Sequence, residues 1–183
     1  VKAKLDGNAD AYPADHGLVV QLKGGAFWKM TEGSHSATRT SVSQGASEVE
    51  LCGRCHSRRT ELTEEYRHGA PLSDSHRVEL LEEELYFPDG QIQDEVYVYG
   101  SFRQSSMYAA GVTCSDCHEP HSLKLRRKGN AVCTACHQAS VYDARSHHFH
   151  KKDGGGSACI ACHMPERTYM VVDPRRDHSL RSP

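Results

Sequence analysis

Four copies of the pattern Cys-x-x-Cys-His constrain this chain more than anything else in it: CGRCH at 52–56, CSDCH at 114–118, CTACH at 133–137 and CIACH at 159–163. They consume all eight cysteines, as Cys52/Cys55, Cys114/Cys117, Cys133/Cys136 and Cys159/Cys162, and leave none for a disulfide. Two thiols three positions apart can each form a thioether to a haem vinyl group, while the histidine that follows reaches the iron. Zinc is the competing reading, because Cys-x-x-Cys pairs also build four-thiolate sites, but zinc has no use for a histidine after every second cysteine. A redox dithiol would need only one such pair. The spacing therefore predicts four haem c groups, with His56, His118, His137 and His163 as proximal ligands.

That prediction bears on the fold class. Leu, Ile, Val and Phe make up 31 of 183 residues, below the roughly 20% at which an ordinary core becomes doubtful. High net charge, the usual companion of disorder, is missing at −2. Four tethered macrocycles would supply the apolar faces the sequence lacks. The expected fold is mostly irregular, with short α-helices and a few short strands, a multihaem cytochrome c organised around its haems. Two segments are expected, a haem-free stretch over 1–50 and a tetrahaem domain over 51–183.

Ionised propionates would make the loaded protein mildly acidic, so nucleic acid is not an expected partner. No apolar run is long enough to span a bilayer. The chain opens at Val1 without a signal peptide, and since haem is joined to this motif after export, the expectation is a periplasmic or extracellular protein whose leader has been removed.

Along the chain, 18–22 and 26–28 read as short strands around a Gly-Gly turn, and 34–47 reads as surface loop. Ser73 or Asp74 is placed to cap a helix carrying Val78, Leu81 and Leu85 on one side. Residues 95–99 alternate with period two and favour extended structure. From Gly111 onward the first cysteines stand 19 and 26 residues apart, room for a short helix and a loop. Arg126, Arg127 and Lys128 are expected to be solvated or paired with propionates.

Nine further histidines can supply distal ligands, and two imidazoles on an iron favour electron transfer over chemistry. His121, in CHEPH, can turn towards a neighbouring haem. The cluster His147, His148 and His150 should supply at least one ligand, and His148 is preferred. His178, in RRDHS, is a candidate steadied by Asp177 or the adjacent arginines. His68 is preferred to His76, because Gly69 permits close backbone approach. His16 and His35 lie in the haem-free segment and are expected to be structural, or to serve a haem in a neighbouring chain. Met107 is the best placed methionine.

The run CSDCHEPHSLKLRRKGNAVCTACH, followed by HHFH and CIACHMPERTYMVVDPRRDHS, resembles the central part of large multihaem cytochromes c that carry tetratricopeptide repeats. So do EVELCGRCHSRR and LLEEELYFPDGQIQDEVYVYGSF, so the resemblance covers most of the chain from Glu48. The haem arrangement of that group is similar to multihaem nitrite reductases and to the tetrahaem electron acceptor of hydroxylamine oxidation. The resemblance implies electron transfer through bis-histidine haems, with His121 and His178 matching family histidines. Those proteins are longer, with haem sites before and after this region.

The sequence thus favours an electron carrier or conduit working with other redox proteins or cytochromes. One alternative is part of an oxidoreductase that reduces a small nitrogen or sulfur oxyanion at an open haem, with Tyr66, Arg67, His68 and Arg103 as proton donors. Another is a subunit of a filament whose chains share haem ligands. If any haem carries an open face, a methionine or a ligand from another chain, the haem on Cys52 and Cys55 is the first candidate.

Overall fold

A computed structural model describes residue 22, residues 26–40 and residues 46–183. The expected strand at 18–22 falls almost entirely outside these, as does His16. Among the described residues the longest helix is Ala46–His56, and every other helix has five residues or fewer. Among the described residues the strands form four separate two-stranded antiparallel ribbons, none joined into a larger sheet. The fold is irregular with short helices and short strands, as expected from so small an apolar content.

Helix Ala46–His56 carries the first motif on its last turn. Glu48 lies in its first turn and Arg54 and His56 in its last, which suits the helix dipole at both ends. Val49 faces a small core with Leu72, Tyr99 and Phe102, flanked by Val78, Tyr108, Val112, Cys114 and Leu180. Gly53 is required by this packing: a Cβ there would meet the Tyr99 ring at 2.7 Å. The Ser57 hydroxyl donates to the Gly53 carbonyl at 2.6 Å and finishes the helix.

Downstream, the chain departs from its periodicity. Instead of a helix, Leu72–Asp74 forms one tight turn and His76–Val78 pairs with Arg59–Glu61. Leu80 and Leu81 are exposed, so a helix there would have had no apolar face to bury, and Glu82, Glu83 and Glu84 would have crowded like charges along it. Residues 95–98 are not a strand either. Tyr97 sits at φ 59°, which breaks the extended run, and Tyr99–Arg103 continues as a helical turn.

The early segment is tied to the haem motifs. Trp28–Lys29 pairs with Thr38–Arg39, and the intervening chain bridges to the third motif through Ala37 N–H to the Cys136 carbonyl at 2.8 Å and Gln138 N–H to the His35 carbonyl at 2.8 Å. Arg39 is buried, donates to the Gly111 carbonyl and lies 3.5 Å from the Asp116 carboxylate.

Candidate haem-binding site

The motifs are held by one local cap and by polar contacts that reach across the chain. Thr113 precedes the short helix Cys114–Cys117, and its backbone N–H donates to the Asp116 carboxylate at 2.9 Å. The buried Glu48 carboxylate accepts from Ser115 N–H at 2.6 Å and from the Ser115 hydroxyl at 2.8 Å, joining the first motif's helix to the second motif. Asn130 does the same for the last two motifs. Its amide donates to the Ser157 carbonyl at 2.9 Å and to Asp143 at 2.8 Å, and its side-chain oxygen accepts from Cys159 N–H at 2.9 Å.

The eight thiols differ in exposure. Cys52, Cys114, Cys117, Cys133, Cys136 and Cys159 are half-buried, whereas Cys55 and Cys162 are exposed. Cys162 shares the outer side of helix Cys159–His163 with the exposed Ala161, while Cys159 and His163 are turned further inward. Three residues advance a helix by about 300°, so the two cysteines of a motif on a helix need not share one depth of burial. In the first and fourth motifs the second thiol therefore lies at the protein surface, where only a bound macrocycle would cover it.

Two of the motif histidines face a second imidazole. His118 and His178 have ring centroids 6.3 Å apart with planes 23° from parallel. His163 and His147 are 6.0 Å apart and 11° from parallel. Imidazole nitrogen sits about 2 Å from a bound metal and the ring centre about 1 Å further back, so two rings on one ion stand about 6 Å apart. Both pairs match that separation.

The tautomers of two of these histidines agree. His178 Nδ1 lies 2.9 Å from the Arg176 carbonyl, and His163 Nδ1 lies 2.6 Å from the Arg181 carbonyl. A carbonyl only accepts, so Nδ1 carries the proton and Nε2 keeps its lone pair for a metal. His148 is arranged the other way, since its Nδ1 accepts from the His150 N–H at 3.1 Å, which leaves the proton of the neutral ring on Nε2. The structure thus turns His147, not His148, towards His163.

The remaining candidates are distributed as follows. His137 Nδ1 contacts the Ser36 hydroxyl at 2.9 Å, and its ring meets Tyr142 edge-on. His35 Nδ1 is 2.9 Å from the Gln138 side chain. His76 is buried with Nδ1 on the Ser75 hydroxyl at 2.7 Å, while His68 is exposed, and the Tyr66 ring meets both edge-on. His121 is exposed in the turn between His118–Glu119 and Lys124–Leu125, at φ 60°. Met107 is half-buried in the helix Ser106–Ala109. Arg126 donates to the Ser115 carbonyl.

Burial lowers the pKa of His178 most, and the neighbouring His118 lowers it further, against a carbonyl bond that raises it. His118 and His137 are lowered by burial first, and then by His56 and His163 respectively. Neutral imidazole is the ligating form, so these shifts act in the direction ligation needs. Burial, followed by Cys159, pushes the Cys133 thiol up to about 12.

The run RRDHS places Arg175 and Arg176 beside His178, but it does not show the cleft they line with His56. A cleft of about 250 Å³ is lined by His56, Tyr97, Val98, Arg175, Arg176 and His178. Arg175 Nη1 is buried there without a protein partner, although the same guanidinium engages Asp173 through Nε at 2.7 Å. A guanidinium with one buried nitrogen left over, its charge shared with Asp173 and with Glu95 at 3.7 Å, fits a haem carboxylate as a further acceptor beside two candidate ligands. The residues present therefore fit a haem c in thiols, imidazoles and counter-charge.

A family model described as the doubled CXXCH motif matches residues 107–141, which contain the second and third motifs. No curated protein and no solved structure matches the chain. The match indicates a multihaem c-type cytochrome-like region, and with it haem c binding and electron transport. No described helix is long and apolar enough to cross a membrane.

Proposed function

We propose that the chain carries electrons through four covalently bound c-type haems, most of them with two histidine ligands. The observation that supports this best is the facing imidazole pairs, each joining a motif histidine to a histidine outside any motif. His118 and His178 would hold the second haem, and His163 and His147 the fourth. For the first and third haems, the candidates opposite His56 and His137 are His121, His68 and His76, with Met107, His35, His16, His148 and His150 behind them. Bound haem supplies a one-electron couple with both iron faces closed. The protein supplies the orientation: Arg176 and Arg181 carbonyls steady the rings, and Arg175 and Arg176 offset propionate charge.

In this reading the protein is exported to the periplasm or cell exterior and exchanges electrons with other cytochromes, as in the repeat-bearing multihaem cytochromes and their nitrite-reductase and hydroxylamine-pathway relatives. Sharing of ligands between chains in a filament is a variant of the same proposal. The pyridine haemochrome of the purified protein should count four haems per chain. Electron paramagnetic resonance should show low-spin ferric iron in the wild type and one new high-spin signal in His178→Ala and again in His147→Ala, with His148→Ala unchanged. No new high-spin signal in either of the first two variants would reject these ligand pairs.

A further inference from the structure

In sequence, the closest haem motifs are the second and third, their first cysteines 19 residues apart. The contacts in space join other motifs. The Cys52 and Cys114 thiols are in hydrogen-bonding contact, and their sulfurs lie with a Glu48 carboxylate oxygen within 4.8 Å of one another. The Cys133 and Cys159 thiols are likewise in contact. Each contact joins the first cysteine of one motif to the first cysteine of another, so like positions meet, as they do across a local two-fold axis.

Each grouping has its own polar clamp, buried at Glu48 and half-buried at Asn130. Glu48 ties the first motif to the start of the second, and Asn130 ties the approach of the third motif to Cys159.

We propose, resting on the four-haem reading, that the haems form two close pairs, first with second and third with fourth, and that Glu48 and Asn130 are the positioning residues that set them. Each thioether sulfur sits two bonds, roughly 3 Å, from its macrocycle. Sulfurs within 4.8 Å then bring the first two macrocycle edges to within roughly 10 Å. The second and third haems join the two pairs, since residues 37–39 bond the Cys136 carbonyl through Ala37 N–H and reach Asp116 through Arg39 at 3.5 Å. The haem order for electrons is then the order of the motifs in the chain.

The loaded wild-type protein tests this without any variant: the first–second and third–fourth iron separations must be the two shortest, read by spin–spin coupling or from a haem-bearing structure. Two variants sharpen it. Cys52→Ala with Cys55→Ala should remove one haem and one of two exciton-coupled Soret couplets, halving the circular dichroism signal. Asn130→Ala should keep four haems and weaken only the third–fourth couplet, and Glu48→Gln only the first–second. A strongest coupling between the second and third haems, or couplets unmoved by either clamp variant, would overturn the proposal. Fewer than four haems per chain overturns the reading beneath it, whereas four haems coupled in other pairs overturns the pairing alone.

Discussion

Residues 46–112 and residues 113–183 are stabilised by different means. The first region has a protein core: Val49, Leu72, Tyr86, Val96, Tyr99 and Phe102, the buried apolar side chains among the described residues, all lie within it. In the second region the buried side chains are polar, Thr113, Ser115, Ser157, Asp177 and Ser179, while Leu123, Phe149, Met170, Val171 and Val172 are exposed. Three of the four haem motifs fall in that second region. The contrast teaches that imidazole pairs and hydrogen-bonded turns do there what apolar contacts do in the first, and that the missing apolar surface is what a macrocycle provides.

The largest expected effect is on the second region when haem attachment is prevented. In a strain lacking the attachment machinery, limited proteolysis should cut within 113–183 early and spare 46–112 for longer. Equal cleavage of both regions would erase the distinction drawn above. Next comes Leu72→Ala, which opens a cavity under Val49 and Tyr99 and should cost about 2–5 kcal/mol of first-region stability in denaturant titration. The Soret spectrum of the fourth haem should barely move, and a parallel loss there would mean the two regions fold as one.

Acid should act more on the second region, which holds His178, His118 and His137, than on the first, where His76 is the buried histidine lowered in the same way. The folded protein holds His178, His118 and His137 below their ordinary pKa, so the unfolded chain binds the extra protons. The stability they contribute is complete above about pH 6.5 and is lost as pH falls below it towards the folded values. An acid titration followed at the Soret band should show high-spin iron growing in this window. No change before the carboxylates titrate would remove these histidines from the account.

The smallest effect is expected at the hairpin Glu166–Tyr169 with Asp173–Arg176, whose turn puts Met170 at φ 46° and Val171 at φ 70°. Two positive φ values call for Asn-Gly, and a β-branched valine fits poorly. Val171→Gly should stabilise the protein by about 1 kcal/mol in thermal unfolding. A loss of stability would imply that the exposed valine is covered in the loaded protein.

Several features were legible before any tertiary structure. The four attachment motifs rest on spacing of three and four residues, which no long-range contact alters. The scarcity of Leu, Ile, Val and Phe limited the core in advance and with it the length of helices and strands. Less visible was the role of the early segment: Ser36 bonds His137 across 101 residues, a contact with no local signature. Nor does the motif say that Cys55 and Cys162 stand at the surface while their partners Cys52 and Cys159 are half-buried, because burial depends on what packs against each helix. The helix expected after Ser73 and the strand expected at 95–99 were misread because local periodicity carried more weight than it had. Without a facing surface for Leu80 and Leu81, the helix had nothing to bury.

By itself, then, the sequence determined where the four Cys-x-x-Cys-His motifs stand and which histidine follows each, because a motif is read from neighbouring residues. Tertiary structure decided which imidazoles face one another and which motifs touch. His147 and His148 differ by one residue, or about 100° of helical rotation, so only the tertiary placement of helix Arg145–His148 beside His163 could decide which of the two meets that ring. His178 meets His118 because Asp177, Ser179 and Arg181 fold the tail into a hydrogen-bonded turn. The motif pairs depend on Glu48 and Asn130 in the same way, through single polar contacts that span 67 and 29 residues.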